Sequence, residues 1–221
     1  MSTSIANTLT EQLREAILSG AFVPNSKIRL EELSASYGVS MSPIREALLR
    51  LSGEGFVVSE AQRGFRVADA TPKNLEEVTA LRAHLEPFAL RLAIGNGDQK
   101  WEENLVVTFH RLTRIEEKEG YVPFLDEWEK THRDFHLALL SGCGMPMLIQ
   151  FCSMLHDQSD RYRRLFLKQR PPQRNVAHEH ASIIQAVIAR DADKACDLLL
   201  DHIRTTGSTV ETFMSEAAGQ P

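Results

Sequence analysis

Four histidines and two arginines in the C-terminal two thirds of this 221-residue chain are spaced for chemistry. His132 and His136 lie four residues apart, one turn above the other on a helix, and their face continues through Leu139 and Leu140. His180 shares a helical face with Ile184, Val187 and Ile188, and His202 shares one with Ala195, Leu198 and Leu199. Three helices therefore each bring histidine to an apolar, inward side. A lone inward histidine is ordinarily a hydrogen-bonded core residue. Three helices doing this together describe a shared polar centre, and neutral imidazoles suit Zn, Ni, Cu or Fe. No short ligand motif accompanies them, so spacing alone leaves both readings open. Arg82 and Arg161 are the arginines of interest, because an inward guanidinium needs an anionic partner. For Arg82, a salt bridge to Glu86 four residues on satisfies that need as well as a bound carboxylate does. Arg163 and Arg164, in the run Arg161-Tyr162-Arg163-Arg164, read as a solvated face.

A second kind of chemistry sits near the N-terminus. In Tyr37-Gly38-Val39-Ser40-Met41-Ser42-Pro43-Ile44-Arg45-Glu46-Ala47-Leu48-Leu49-Arg50-Leu51, Gly38 suits the left-handed close of one helix. Ser40 or Ser42 suits the cap of the next, and Pro43 suits its first turn. Ile44, Leu48 and Leu51 form the inward stripe, leaving Ser42, Arg45, Glu46 and Arg50 outward. Arginine takes a guanine edge bidentately in a major groove, and serine holds a phosphate. The bland alternative is an ordinary helical hairpin.

These groups must be carried by definite elements. Residues 8–19, 30–37 and 41–52 read as helices, with Phe22 to Ile28 as a connector rich in turn chemistry. Phe56-Val57-Val58-Ser59 and Phe65-Arg66-Val67 flank Glu60-Ala61-Gln62-Arg63-Gly64 as a β-hairpin. Arg63, beside Gly64 at its tip, either touches the minor groove or phosphate or is a solvated turn. Beyond the linker at 69–74, helices are expected near 73–95, 98–118, 123–141, 145–168, 173–190 and 192–216. Gly95-Asn96-Gly97, Gly120, Gly142-Cys143-Gly144 and Pro171-Pro172 punctuate them. The expected fold is mostly α: a winged helix-turn-helix over residues 1–70, then an all-α antiparallel helical bundle over 71–221 with room for an interior pocket.

Composition constrains the setting. Hydrophobic residues make up 43% and charged residues 25%, so a globular, cytoplasmic protein is expected. There is no apolar run fit to span a bilayer, and Met1–Ile17 lacks a signal-peptide core. Cys143, Cys152 and Cys196 are odd in number and widely spaced, which fits buried thiols and neither a disulfide frame nor a zinc knuckle. Net charge is −5, and residues 1–70 hold seven basic against eight acidic side chains, so any affinity for DNA rests on local placement.

The N-terminal residues resemble the GntR family of bacterial transcription regulators. The matching pattern is Ile17-x-x-Gly20-x-Phe22-x-Pro24, Leu33, Gly38-Val39-Ser40-x-Ser42-Pro43-Ile44-Arg45-Glu46-Ala47-Leu48-x-Arg50-Leu51, Glu54-Gly55-Phe56 and Arg63-Gly64-Phe65-x-Val67. The resemblance implies a double-stranded operator bound through Ser40, Ser42, Arg45, Arg50, Arg63 and Gly64. The family usually has arginine directly after the Val-Ser pair, where this chain has Met41, so its operator is expected to differ.

Phe135-His136-x-x-Leu139, Leu148, Glu179-His180-x-x-Ile183-x-x-Ala186, Asp191, Ala195 and His202 are similar to the FadR-type (FCD) branch. Many of its members hold a divalent metal through an aspartate and three histidines. His136, His180 and His202 fall on the histidine positions. His132 stands at the aspartate position, either as a fourth imidazole ligand or facing an acidic effector in a metal-free pocket, and Met145 replaces a usual asparagine. The resemblance makes Arg82 an effector-carboxylate contact, with Arg161 as a second candidate. Trp128-Glu129-x-x-His132-Arg133-x-Phe135-His136, Gly142-Cys143-Gly144 and Arg161-Tyr162-Arg163 look most like the carbon-starvation, glutarate-type regulators. The implied protein is a homodimeric DNA-binding regulator, a repressor, governed by a small dicarboxylate in a histidine-lined pocket that holds a divalent ion such as Zn or Ni. The alternative from another class is a metal-dependent enzyme with an accessory helix-turn-helix, against which no zincin glutamate, nucleophile–base pair or phosphate-cradling loop is found.

Overall fold

The structure, a computed structural model, describes residues 5–61, 63–117, 125–167 and 174–218. Gln62 in the hairpin turn, Gly120, Pro171 and Pro172 lie outside the described residues. So do the expected helix ends at 118, 123–124, 168 and 173.

The chain forms two compact units, Met1–Thr71 and Pro72–Pro221. In the first, α1 (Ile5–Leu18), α2 (Leu30–Tyr37) and α3 (Met41–Gly53) surround a core of Leu9, Leu13, Ile17, Ile44, Leu48 and Leu51. Gly38 closes α2 with φ 65°, and its N–H donates to the Ser34 carbonyl. Ser40 takes the N-cap position of α3 with extended backbone, but its hydroxyl makes no capping bond. The hairpin is β2 (Val57–Glu60) against β3 (Gly64–Val67), with Val57 opposite Val67 and Glu60 opposite Gly64.

The connector read as turn chemistry holds one more element. β1 (Lys27–Ile28) pairs antiparallel with β3, Lys27 opposite Arg66 and Ile28 opposite Phe65, giving a three-stranded sheet in the order β1-β3-β2. Two residues carry no readable alternation; the strand exists because β3 offers it an edge.

The regular elements of the second unit are all helices among its described residues: α4 (Pro72–Asn96), α5 (Gln99–Glu116), α6 (Leu125–Ser141), α7 (Pro146–Leu167), α8 (Val176–Ile188) and α9 (Ala192–Ala218). Leu90, Leu105, Phe135, Leu139, Ile183 and Leu199 are among the residues that fill its core. The glycine punctuation has a packing role as well as a conformational one. A Cβ at Gly97 would lie 2.1 Å from the Trp101 ring, and one at Gly142 would lie 3.1 Å from it. That indole donates to the Ala138 carbonyl at 2.9 Å, pinning the start of α5 to α6.

Helix α7 runs through the unit's interior. All nine side chains from His156 to Arg164 are buried, although most are polar or charged. Burying charge at this density requires partners, and α6 supplies several of them: Glu129 for Arg163, Arg133 for Asp157 and Asp126 for Arg164.

Candidate functional site

Helix α6 brings His132 and His136 to the centre of the second unit, α8 brings His180 and α9 brings His202. All four rings are buried, at 5% exposure or less. Each offers a ligand atom, and these atoms lie within 4.8 Å of one another. The Nε2 atoms of His136 and His180 are 3.4 Å apart. Carboxylates hold two of the rings from behind. Glu116 Oε1 sits 2.9 Å from His180 Nδ1, and Glu179 Oε2 sits 2.8 Å from His202 Nδ1. A carboxylate on Nδ1 fixes the tautomer and leaves Nε2 with its lone pair inward, which is how metal-binding histidines are oriented.

Electrostatics support the same use. Burial first, and then the neighbouring imidazoles and guanidiniums, hold His132, His136 and His202 well below the ordinary histidine range, so these rings are neutral. Nδ1 of His132 and of His136 are buried without a hydrogen-bond partner. Four buried imidazoles whose ligand atoms converge fit a divalent transition ion. Asp134, two residues from His132 on another face, is exposed.

A cavity of about 190 Å³ opens beside the quartet. Trp128, Glu129, His132, Arg163, Arg174 and His202 are among its lining residues. Arg163 donates to Glu129 at 2.7 Å and to the Ser159 hydroxyl at 3.1 Å. Burial lifts the Glu129 carboxyl to about 8, against the pull of Arg163. Arg174 donates to the Thr206 hydroxyl at 2.8 Å and pairs with Glu179 at 3.2 Å.

The arginines depart from the sequence reading. Arg163 and Arg164 are buried, not solvated, and Arg163 lines the cavity. Arg161 is buried on α7 and does not line it. Arg82 has both ends of its guanidinium engaged, with Glu86 at 2.5 Å and the Ser159 hydroxyl at 2.8 Å, so the salt-bridge alternative describes its contacts. Ile188, expected on the inward face of α8, is exposed, and Ile183 takes its place in the core.

Sequence reasoning missed His156, Glu116, Glu129, Arg174 and Glu179. Glu129 had a usable signal, since it stands three and seven residues before His132 and His136, on their face of α6. His156 shares its face of α7 with Cys152, Ser159 and Arg163, but a stripe that polar does not look like core.

In the first unit, Ser40, Ser42, Arg45 and Arg50 are exposed on α3 or at its N-cap. Arg50 donates to Glu46 at 2.7 Å and also to Asn7 on α1. Arg63 is exposed at the hairpin tip, beside Gly64 with φ 91°. Met41 is exposed at the start of the same helix.

Both units match described families. The bacterial regulatory proteins of the gntR family match residues 5–67, and the FCD domain matches residues 77–205. The chain belongs to the GntR family, with an FCD C-terminal domain. This regulator is 36% identical to the HTH-type transcriptional regulator BphR of Paraburkholderia xenovorans over 95% of its own length and 86% of the relative's. It is 31% identical to the HTH-type transcriptional repressor GlaR of Escherichia coli, covering 92% of this chain and 94% of that one. The solved structure of E. coli McbR/YncC superposes with a TM-score of 0.80 at 20% identity, covering 96% and 99% of the two chains. That agreement is one of fold. Relatives and fold neighbours alike are GntR-type regulators, so the regulator is not an enzyme, and the alternative of a metal-dependent catalyst falls. No helix among its described residues is long and apolar enough to cross a membrane.

Proposed function

We propose that this regulator is a homodimeric, cytoplasmic repressor released from its operator by a small dicarboxylate of the glutarate type. The acid binds beside a divalent ion held by His132, His136, His180 and His202. The observation that carries the reading is the quartet itself: four buried imidazoles, two of them oriented by carboxylates. A divalent ion there supplies a fixed positive point for a carboxylate oxygen. The protein does the rest. Glu116 and Glu179 hold the imidazoles, the apolar shell excludes water, and Arg163 and Arg174, each already bonded to a glutamate, place guanidinium donors on the cavity wall. The cavity suits a small acid more than a drug-sized ligand. The repressor sign is supported by the relative GlaR, named a repressor, and the glutarate class by the resemblance of the α6 and α7 motifs.

For DNA, α3 enters the major groove with Ser40, Ser42, Arg45 and Arg50 on its exposed side, and Arg63 with Gly64 at the hairpin tip meets the backbone or the minor groove. Each protomer reads one half-site. The acid shifts the equilibrium only through its preference for the conformation whose two reading heads are wrongly spaced. The test begins with duplexes selected from a random pool by wild-type protein. Arg45→Ala, exposed and remote from the core, is expected to lose about 10- to 100-fold in affinity for them, the worth of a bidentate base contact, with its circular dichroism unchanged. Glutarate is expected to release the wild type. Undiminished affinity in Arg45→Ala contradicts the reading-helix assignment, and indifference to every acid in a mono- and dicarboxylate series contradicts the effector assignment.

A further inference from the structure

A fifth histidine stands against the quartet without belonging to it. His156 on α7 is buried at 1% exposure, and neither of its ring nitrogens has a hydrogen-bond partner. Its ring centroid lies 5.4 Å from that of His132 and 5.3 Å from that of His136. An imidazole carries at least one N–H in either tautomer, and a buried donor left unmade is costly. Native proteins rarely leave such a group empty-handed unless a ligand, ion or water completes it.

An ion held by the quartet does not complete it. Such an ion takes one nitrogen from each of His132, His136, His180 and His202, and His156 offers no atom within that cluster. Its surroundings indicate what does. Arg82 and Arg163 both donate to the Ser159 hydroxyl, at 2.8 Å and 3.1 Å, three residues along the same face of α7. Both guanidiniums, with Arg133, act on the His156 ring. The guanidiniums are themselves paired, Arg82 with Glu86, Arg163 with Glu129 and Arg133 with Asp157. What singles the site out is therefore the unpartnered buried ring one imidazole away from the ion's ligands, placed to meet an oxygen of an acid bound to that ion. His156 does not line the cavity itself but packs against His132, which does. The geometry points to His156 as the hydrogen-bond donor to the acid at its metal-bound end, its ring N–H donating to a carboxylate oxygen held at the histidine centre. This rests on the acid-binding reading above and adds the residue that recognises the acid without holding the ion.

The test compares zinc-loaded wild type, His156→Leu and His156→Gln, with glutarate as the probe. It reads bound zinc by elemental analysis, glutarate affinity by calorimetry, and the melting temperature with and without the acid. In His156→Leu we expect zinc content unchanged and glutarate affinity weakened about 10- to 100-fold, the loss of one charge-assisted hydrogen bond. The acid-free melting temperature should stay level or rise, because an apolar side chain replaces a polar one with no partner. His156→Gln, which keeps a donor, should recover part of the affinity and serves as the folded comparison if the leucine variant does not fold. Wild-type affinity in His156→Leu overturns the inference while leaving the acid-binding pocket standing, and His156 then holds only a buried water. Loss of zinc in both variants overturns it too, making His156 a metal ligand. A wild type that binds no acid of the series removes the pocket and His156's role together.

Discussion

His180→Ala is expected to purify without its divalent ion. Removing this imidazole takes away one of four ligands and leaves the Glu116 carboxylate, now paired with His180 Nδ1 at 2.9 Å, with only the Trp128 indole N–H on Oε1 at 3.2 Å and its second oxygen buried without a partner. Metal content per chain by elemental analysis, with circular dichroism as the check on folding, reads the result. Glu116→Gln sharpens it. That variant leaves all four rings in place and removes only the charge that holds one of them, so the ion should bind about 10- to 100-fold more weakly. Full occupancy in His180→Ala contradicts the ligand set. Unchanged affinity in Glu116→Gln shows that the carboxylate packs against the ring without tuning it.

Acid is expected to unfold the metal-free protein steeply below about pH 6.5, the ordinary histidine value. In the folded chain His132, His136, His156 and His202 are held well below that value, by burial first and then by neighbouring charges. The unfolded chain therefore binds protons that the folded one refuses. Stability is fully present above about pH 6.5 and is lost as pH falls from there toward the depressed folded values, with each ring contributing up to about 1.4 kcal/mol per pH unit. Glu129 works in the opposite direction. Its folded carboxyl is raised to about 8, so its contribution favours folding at low pH and fades as pH rises through that value. Glu179, half-buried and also raised by burial, adds a smaller contribution of the same sign. Four rings against one fully buried carboxyl leave a net loss of roughly 4 kcal/mol per pH unit. Against a total stability of about 5–15 kcal/mol, a loss at that slope over two units removes a large share of it. Melting temperatures of chelated protein from pH 8 to pH 5 should fall sharply below the histidine value, and a flat profile would show that the rings are protonated or solvated in the native state. In the folded chain His132, His136 and His202 stay neutral through that window, so metal held by them opposes the acid unfolding until pH approaches their depressed values.

Helix α3 was legible because its signals are local. A left-handed glycine at 38, an extended Ser40, a proline in the first turn and a stripe of Ile44, Leu48 and Leu51 lie within fifteen residues of chain. The histidine quartet was legible for a related reason: helical periodicity put each ring on a face otherwise made of leucine, isoleucine or valine. What escaped was set by tertiary pairing. β1 is a strand only because β3, almost forty residues on, lies beside it. His156 to Arg164 reads as surface by composition yet lies inside, since Glu129, Asp160 and Asp126 neutralise its arginines. The charges that look like solvent exposure are the ones that α6 folds over. For the same reason the arginine of α7 that lines the cavity is Arg163, and Arg161 does not.

The central claim, a metal-assisted carboxylate site inside the helical unit, is tested most directly by thermal unfolding of the tag-free protein with and without glutarate, each with and without a strong chelator. A ligand that binds only the folded state raises the melting temperature by mass action, by an amount equivalent to about 2.7 kcal/mol at a hundredfold excess over its dissociation constant. The account predicts that glutarate raises the melting temperature of the metal-loaded protein and that the chelator removes the increment. An increment that survives chelation, or no increment with any small mono- or dicarboxylate, contradicts it.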